Sequence, residues 1–128
     1  MKKTQASILV IDDQEDILFS AKMLLKKYFE TIYTLSNPKN VIQLLAENEI
    51  DLVLLDIQMP IMDGFTLCKK IKQLNTAVKI LTVSQLTTKE SIHQIFESGS
   101  NGFFSKNSST DSFKDAVLSM IEKDYYFD

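Results

Sequence analysis

The chain contains no arginine. All 14 basic residues are lysines, set against 17 acidic ones, for a formal net charge of −3 over 128 residues. Arginine is the commonest reader of guanine edges and a preferred phosphate clamp. Its absence, beside an acidic balance, argues against a domain that itself binds nucleic acid. Tryptophan is missing too, and Cys68 is the only cysteine, which excludes an internal disulfide and points to a reducing compartment. Three glycines and two prolines leave little room for disordered linkers. No apolar run approaches the ~20 residues of a membrane span, and MKKTQAS leads into an apolar stretch too short for the core of a secretion signal. The expectation is one cytoplasmic domain over residues 1–128, with no membrane contact. That length suits a single core burying roughly two-thirds of the unfolded surface, and an apolar fraction of 45% is ordinary for such a domain.

What is present alternates between short apolar runs and longer helical periods. SILVI (Ser7 to Ile11) reads as a buried strand. Ile17, Leu18, Ala21, Leu24, Leu25 and Tyr28 then recur at helical spacing. TIYTL (Thr31 to Leu35) is rich in β-formers, and Asn37-Pro38 opens a second helix carrying Val41, Ile42, Leu44 and Leu45. DLVLL (Asp51 to Leu55) predicts a third strand, followed by a short helix over Phe65 to Gln73. VKILTV (Val78 to Val83) predicts a fourth strand, and a Thr-x-x-Glu capping box at Thr87 to Glu90 opens a helix to about Glu97. FFS follows as a fifth strand, and Ser108 to Asp111 cap a last helix with Phe113, Ala116, Val117, Met120 and Ile121 on one face. Five strand–helix units with strands apolar on both faces predict an α/β fold. This is a (βα)5 doubly wound, five-stranded parallel sheet of order 2-1-3-4-5 with helices on each side.

In such sheets ligands sit beyond the carboxyl ends of the strands, at the switch point between strands 1 and 3. That rule collects Asp12 and Asp13 from strand 1, Asp56 from strand 3, Ser84 from strand 4 and Lys106 from strand 5. Asp56 is the most telling, because it ends the run LVLL, and a desolvated carboxylate is costly unless it is paired or has a job. Two carboxylates ~4 Å apart repel by about 4 kcal/mol at an effective dielectric of 20, so three of them call for a raised pKa or a cation. Few ligands, all hard oxygens, suit Mg²⁺, which keeps waters and shares its shell with phosphate. With Lys106 as a further point charge and one hydroxyl, such a pocket can stabilise phosphoryl transfer. Asp56 is then the nucleophile that becomes an aspartyl phosphate.

These residues resemble a two-component response-regulator receiver domain over nearly the whole chain. The resemblance is carried by the acidic pair in ILVIDD, by LLDIQMPIMDG, by the strand end ILTVSQ and by GSNGFFSK. It implies Asp56 as phosphoacceptor, Mg²⁺ held by Asp12, Asp13, Asp56 and the Gln58 main-chain carbonyl, and Lys106 paired with the phosphoryl group. Ser84 then bonds a phosphoryl oxygen after activation, while Phe103 is the switch aromatic that turns inward. The implied partner is a sensor histidine kinase or phosphotransfer protein, with a possible homodimer on phosphorylation. Two departures stand out: Asn107 replaces the proline usual after the lysine, and Gln85 replaces a small residue after the hydroxyl. The C-terminal stretch resembles the receiver ends of LuxR/NarL-type regulators, which carry a helix-turn-helix after a linker. Control of transcription by an output domain not in this chain is therefore expected.

Plainer readings stand beside these. Asp63 before Gly64 suits a turn, Asp51 opens a strand, and His93 lies solvated on a polar helix. Cys68 is a helix-face residue with no base near it, and Met59 and Met62 pack around Pro60. The helical stripes Ile17 to Tyr28 and Phe113 to Ile121 face the sheet. Two other functions fit parts of the pattern. A phosphorylation-independent docking module would use the fold only as a surface. A haloacid-dehalogenase-type phosphatase would instead need Asp-x-Asp after the first strand, where this chain has an adjacent pair.

Overall fold

The computed structural model describes residues 4–59, 63–75, 77–85 and 88–127. Five strands pair in parallel in the order β2-β1-β3-β4-β5. They are β1 (Thr4–Ile11), β2 (Phe29–Leu35), β3 (Leu52–Asp56), β4 (Lys79–Ser84) and β5 (Gly102–Ser105). Helices α1 (Glu15–Leu25), α2 (Val41–Glu47), α3 (Gly64–Leu74), α4 (Lys89–Glu97) and α5 (Thr110–Lys123) alternate with them, and a 3-10 turn at Pro38–Asn40 leads into α2.

The central strands are apolar over most of their length because successive side chains serve opposite, covered faces. Ile8, Val10, Leu52, Leu54, Leu81 and Phe104 pack with Leu18, Ala21 and Leu25 of α1 and with Ala116, Val117 and Met120 of α5. Their neighbours Leu9, Ile11, Val53, Leu55, Ile80 and Phe103 pack with Val41, Leu67, Cys68, Ile71 and Ile95 on the α2–α3–α4 side. The same parity holds at the carboxyl ends of the strands. Asp12 and Asp56 follow Val10 and Leu54 toward the α1–α5 side, while Ser84 follows Ile80 and Thr82 toward the other.

Some local expectations shift and others hold. The cap of α4 is Thr88, whose hydroxyl accepts from the Ser91 N–H at 3.2 Å; Thr87, like Pro60 and Met62, lies outside the described residues. Ser109 caps α5 by accepting from the Ser112 N–H at 3.1 Å. Ile17, expected to face the sheet, is 42% exposed, since the α1 face is set by Leu18, Ala21 and Leu25. Asp63 caps α3 through the Phe65 N–H at 3.1 Å, Met59 is buried, and the exposed His93 meets Glu97 at 2.6 Å.

A sixth strand, β6 (Tyr126–Phe127), extends the sheet beyond five by pairing in parallel with β5. It forms because Asp124 ends α5 in the left-handed conformation, φ 70°, and sends the chain back along the sheet edge. There Ser119 Oγ donates to the Tyr125 carbonyl at 2.9 Å, and the Tyr126 ring lies 6.4 Å from that of Phe104. A two-residue strand has no period to read, so nothing in the hydrophobic pattern announced it.

Candidate functional site

Each site residue is delivered by the end of a buried strand. Its side chain projects from the carboxyl edge of the sheet. Asp12 and Asp56 are 3% and 2% exposed, and Asp13 is half-buried. One carboxylate oxygen from each of the three lies within 4.8 Å of the others. Lys106 reaches across from the end of β5, its Nζ 3.2 Å from Asp56 Oδ2 and 3.3 Å from Asp12 Oδ2. The other oxygen of each buried carboxylate caps its own loop: Asp12 Oδ1 accepts from the Gln14 N–H, and Asp56 Oδ1 from the Gln58 N–H, both at 3.0 Å.

The electrostatics of the pair are unequal. Burial pushes the Asp56 carboxyl above its ordinary value. Repulsion from Asp12 adds to this, and the Gln58 N–H and Lys106 only partly offset it. For Lys106, burial works against the charged form, yet Asp56 and Asp12 outweigh it and hold the ammonium above its ordinary value. One lysine thus serves two buried carboxylates with a third beside them, an arrangement still rich in negative charge. Its donors are hard oxygens in close convergence, which suits a small divalent cation such as Mg²⁺.

The sequence profile of the response regulator receiver domain family matches residues 8–118. The chain belongs to that family. Among its relatives, the Fimbriae Z protein of Escherichia coli strain K12 is 34% identical over 130 residues, covering 99% of this chain and 60% of that protein. The chemotaxis protein CheY of Bacillus subtilis is 30% identical over 111 residues, covering 86% of this chain and 92% of CheY. A two-component response regulator from Clostridium difficile superposes with a TM-score of 0.85 at 28% identity, over 93% of this chain and 98% of that one. The chain spans about three-fifths of the length of the Fimbriae Z proteins. Receiver domains are the phosphoacceptors of two-component systems. They take their phosphoryl group from histidine kinases and act as signalling switches. Among the described residues no helix is long and apolar enough to cross a membrane.

This receiver solves in its own way the loop that follows the lysine. With Asn107 in place of proline, the turn is held by Ser105: its hydroxyl accepts from the Asn107 N–H at 3.3 Å and its carbonyl from the Ser108 N–H at 3.1 Å. Lys106 is pinned at its own N–H by the Ser84 carbonyl, 2.9 Å away. No cis peptide occurs among the described residues. Ser84 is fully buried, and its hydroxyl donates to Gln58 Oε1 at 3.5 Å. The Phe103 ring is already inside, 3% exposed and packed in the α2–α3–α4 core; phenylalanine has no hydroxyl that would hold the ring's edge at solvent. Beside Lys106 a groove of about 380 Å³ opens between α1 and α5, with Ile17, Leu24, Val83 and Phe113 among its lining residues. Sequence reasoning missed both Ser105 and the side chain of Gln58. A serine next to a lysine carries no distinctive signal, and glutamine in a loop can point anywhere.

Proposed function

We propose that Asp56 is the residue of this receiver that takes the phosphoryl group. A carboxylate oxygen of Asp56 attacks phosphorus, the bond from phosphorus to the donor's imidazole nitrogen breaks, and that nitrogen keeps the electron pair. With the proton carried on the other ring nitrogen of the phosphorylated imidazole, the products are an acyl phosphate on Asp56 and a neutral histidine on the kinase or phosphotransfer protein. Asp12, Asp13, Asp56 and the Gln58 main-chain carbonyl would hold Mg²⁺, which supplies charge neutralisation for the incoming phosphoryl oxygens. Lys106 gives up part of its pairing with Asp56 and follows the charge onto the phosphoryl group. Ser84 supplies a hydroxyl to one phosphoryl oxygen. Water attack on the acyl phosphate later resets the switch, so the only chemistry is on the protein itself.

Activation shifts a two-state equilibrium. Because the Phe103 ring is already buried, the change runs through Ser84, and Phe103 stays packed in the core on the α2–α3–α4 side. The groove between α1 and α5 suits the approach of the phosphodonor, because its lining is largely apolar and includes Lys106. The output we assign is homodimerisation and control of transcription through a helix-turn-helix domain, in the cytoplasm. Its support is the C-terminal sequence pattern together with the fold shared with a LuxR-family regulator from Aurantimonas, TM-score 0.86 at 20% identity.

The observation that carries the assignment of Asp56 is its position: buried at the end of β3, with Lys106 Nζ at 3.2 Å and two further carboxylates within reach. Intact mass after incubation with acetyl phosphate and Mg²⁺ tests it. One added phosphoryl group is expected, lost with Asp56→Asn and lost with EDTA. Labelling that survives Asp56→Asn removes the assignment.

A further inference from the structure

Gln58 stands two residues after Asp56 and touches the site twice. Its main-chain N–H donates to Asp56 Oδ1 at 3.0 Å. Its side chain turns toward the end of β4, where Oε1 accepts the Gln85 N–H at 3.0 Å and the Ser84 hydroxyl at 3.5 Å. Two donors from consecutive residues therefore converge on one oxygen, the arrangement that elsewhere binds an oxyanion. Here the oxygen belongs to a neutral carboxamide of the same chain, on an exposed side chain that can leave without disturbing the core.

We propose that the Gln58 carboxamide is an internal plug. In the resting receiver it fills the Ser84–Gln85 donor pair that a phosphoryl oxygen on Asp56 would otherwise take. This rests on the reading of Asp56 as phosphoacceptor. The plug has a physical logic. Gln58 gives the Gln85 N–H and the Ser84 hydroxyl a shared acceptor while the site is unphosphorylated. A charged phosphoryl oxygen is the stronger acceptor, by roughly a factor of two in bond strength, so it displaces the carboxamide. Loading is then weaker by about one net hydrogen bond than in a receiver whose donor pair is open. Gln58 is thus a positioning residue that sets how readily the switch closes.

Two variants separate the plug from a merely structural role. Gln58→Met keeps bulk without the oxygen, and Gln58→Ala removes both, while each retains the main-chain carbonyl. The first readout is hydrogen exchange of the Gln85 amide in the Mg²⁺-free resting protein, followed by NMR. It is expected to speed up in both variants. The second is the half-saturating beryllofluoride concentration at fixed Mg²⁺, expected to fall roughly three- to tenfold, as one net hydrogen bond implies. Unchanged Gln85 exchange overturns the proposal. So does an unchanged or higher midpoint in both variants while Asp56→Asn abolishes the response, an outcome that leaves the phosphoacceptor standing. A response that survives Asp56→Asn removes the phosphoacceptor reading, and the plug with it.

Discussion

At the scale of single residues the decisive quantity is the desolvation of Asp56. Its pKa is raised mainly by burial and then by Asp12, against the pull of the Gln58 N–H and Lys106. A group whose pKa is higher in the fold than in the unfolded chain stabilises the fold while protonated. That contribution is lost as pH rises through the folded pKa. At neutral pH the ionised Asp56 is therefore held against the preference of the fold. Asp56→Asn, measured in EDTA, should raise the melting temperature by a few degrees at pH 7. The gain over the parent should shrink as pH falls toward the ordinary carboxylate value, where Asp56 itself becomes neutral. Lys106 keeps Asp12 at 3.3 Å in that variant, so no charge is orphaned. A lower melting temperature at pH 7 would mean that the Lys106 pairing outweighs burial. The carboxylates and the lysine were legible in the sequence because charged side chains following apolar runs stand out. The Gln58 carboxamide was not, because its role depends on a rotamer.

At the scale of elements, α3 shows how tightly the site loop is built. Its first residue, Gly64, sits so close to the preceding loop that a Cβ would fall 2.6 Å from Ile57 Cα and 2.7 Å from Ile57 O. Both are backbone atoms directly after Asp56 and cannot rotate away. Gly64→Ala pits two effects of opposite sign against each other. Alanine gains about 1 kcal/mol of helix propensity, while overpacking typically costs 1–3 kcal/mol and more where only backbone can yield. Urea denaturation is expected to show a net loss of stability of roughly 1–2 kcal/mol, accompanied by slower labelling of Asp56. A variant as stable as the parent would show that the loop relaxes freely. The central strands were readable because they are apolar on two faces, Leu52 to Leu55 most plainly. The details at element ends were not. The cap at Thr88 against Thr87, the exposure of Ile17 and the two-residue β6 are decided by tertiary fit, which local sequence does not encode.

At the scale of the whole molecule the architecture concentrates negative charge at one edge of the sheet, and the fold tolerates it. The (βα)5 order followed from pattern alone, since parallel strands with short right-handed crossovers admit few arrangements; the sixth strand adds to the edge and leaves that order intact. Among the described residues Lys106 pairs with Asp12 and Asp56 while Asp13 lies beside them, so a divalent cation should bind the folded chain and leave the unfolded one nearly untouched. Such binding stabilises by mass action, about 1.4 kcal/mol at ten times the dissociation constant, or roughly 3–6 °C for a domain of this size. Melting temperature should therefore climb with millimolar Mg²⁺ and fail to climb with NaCl of matched ionic strength. Asp12→Asn should flatten the dependence. Asp56→Asn should flatten it as well while starting from a higher metal-free value, so the desolvation of Asp56 and the demand for a cation become two separately measured slopes. Equal responses to Mg²⁺ in all three proteins would show that the cation acts on the surface and that the buried carboxylates do not hold it.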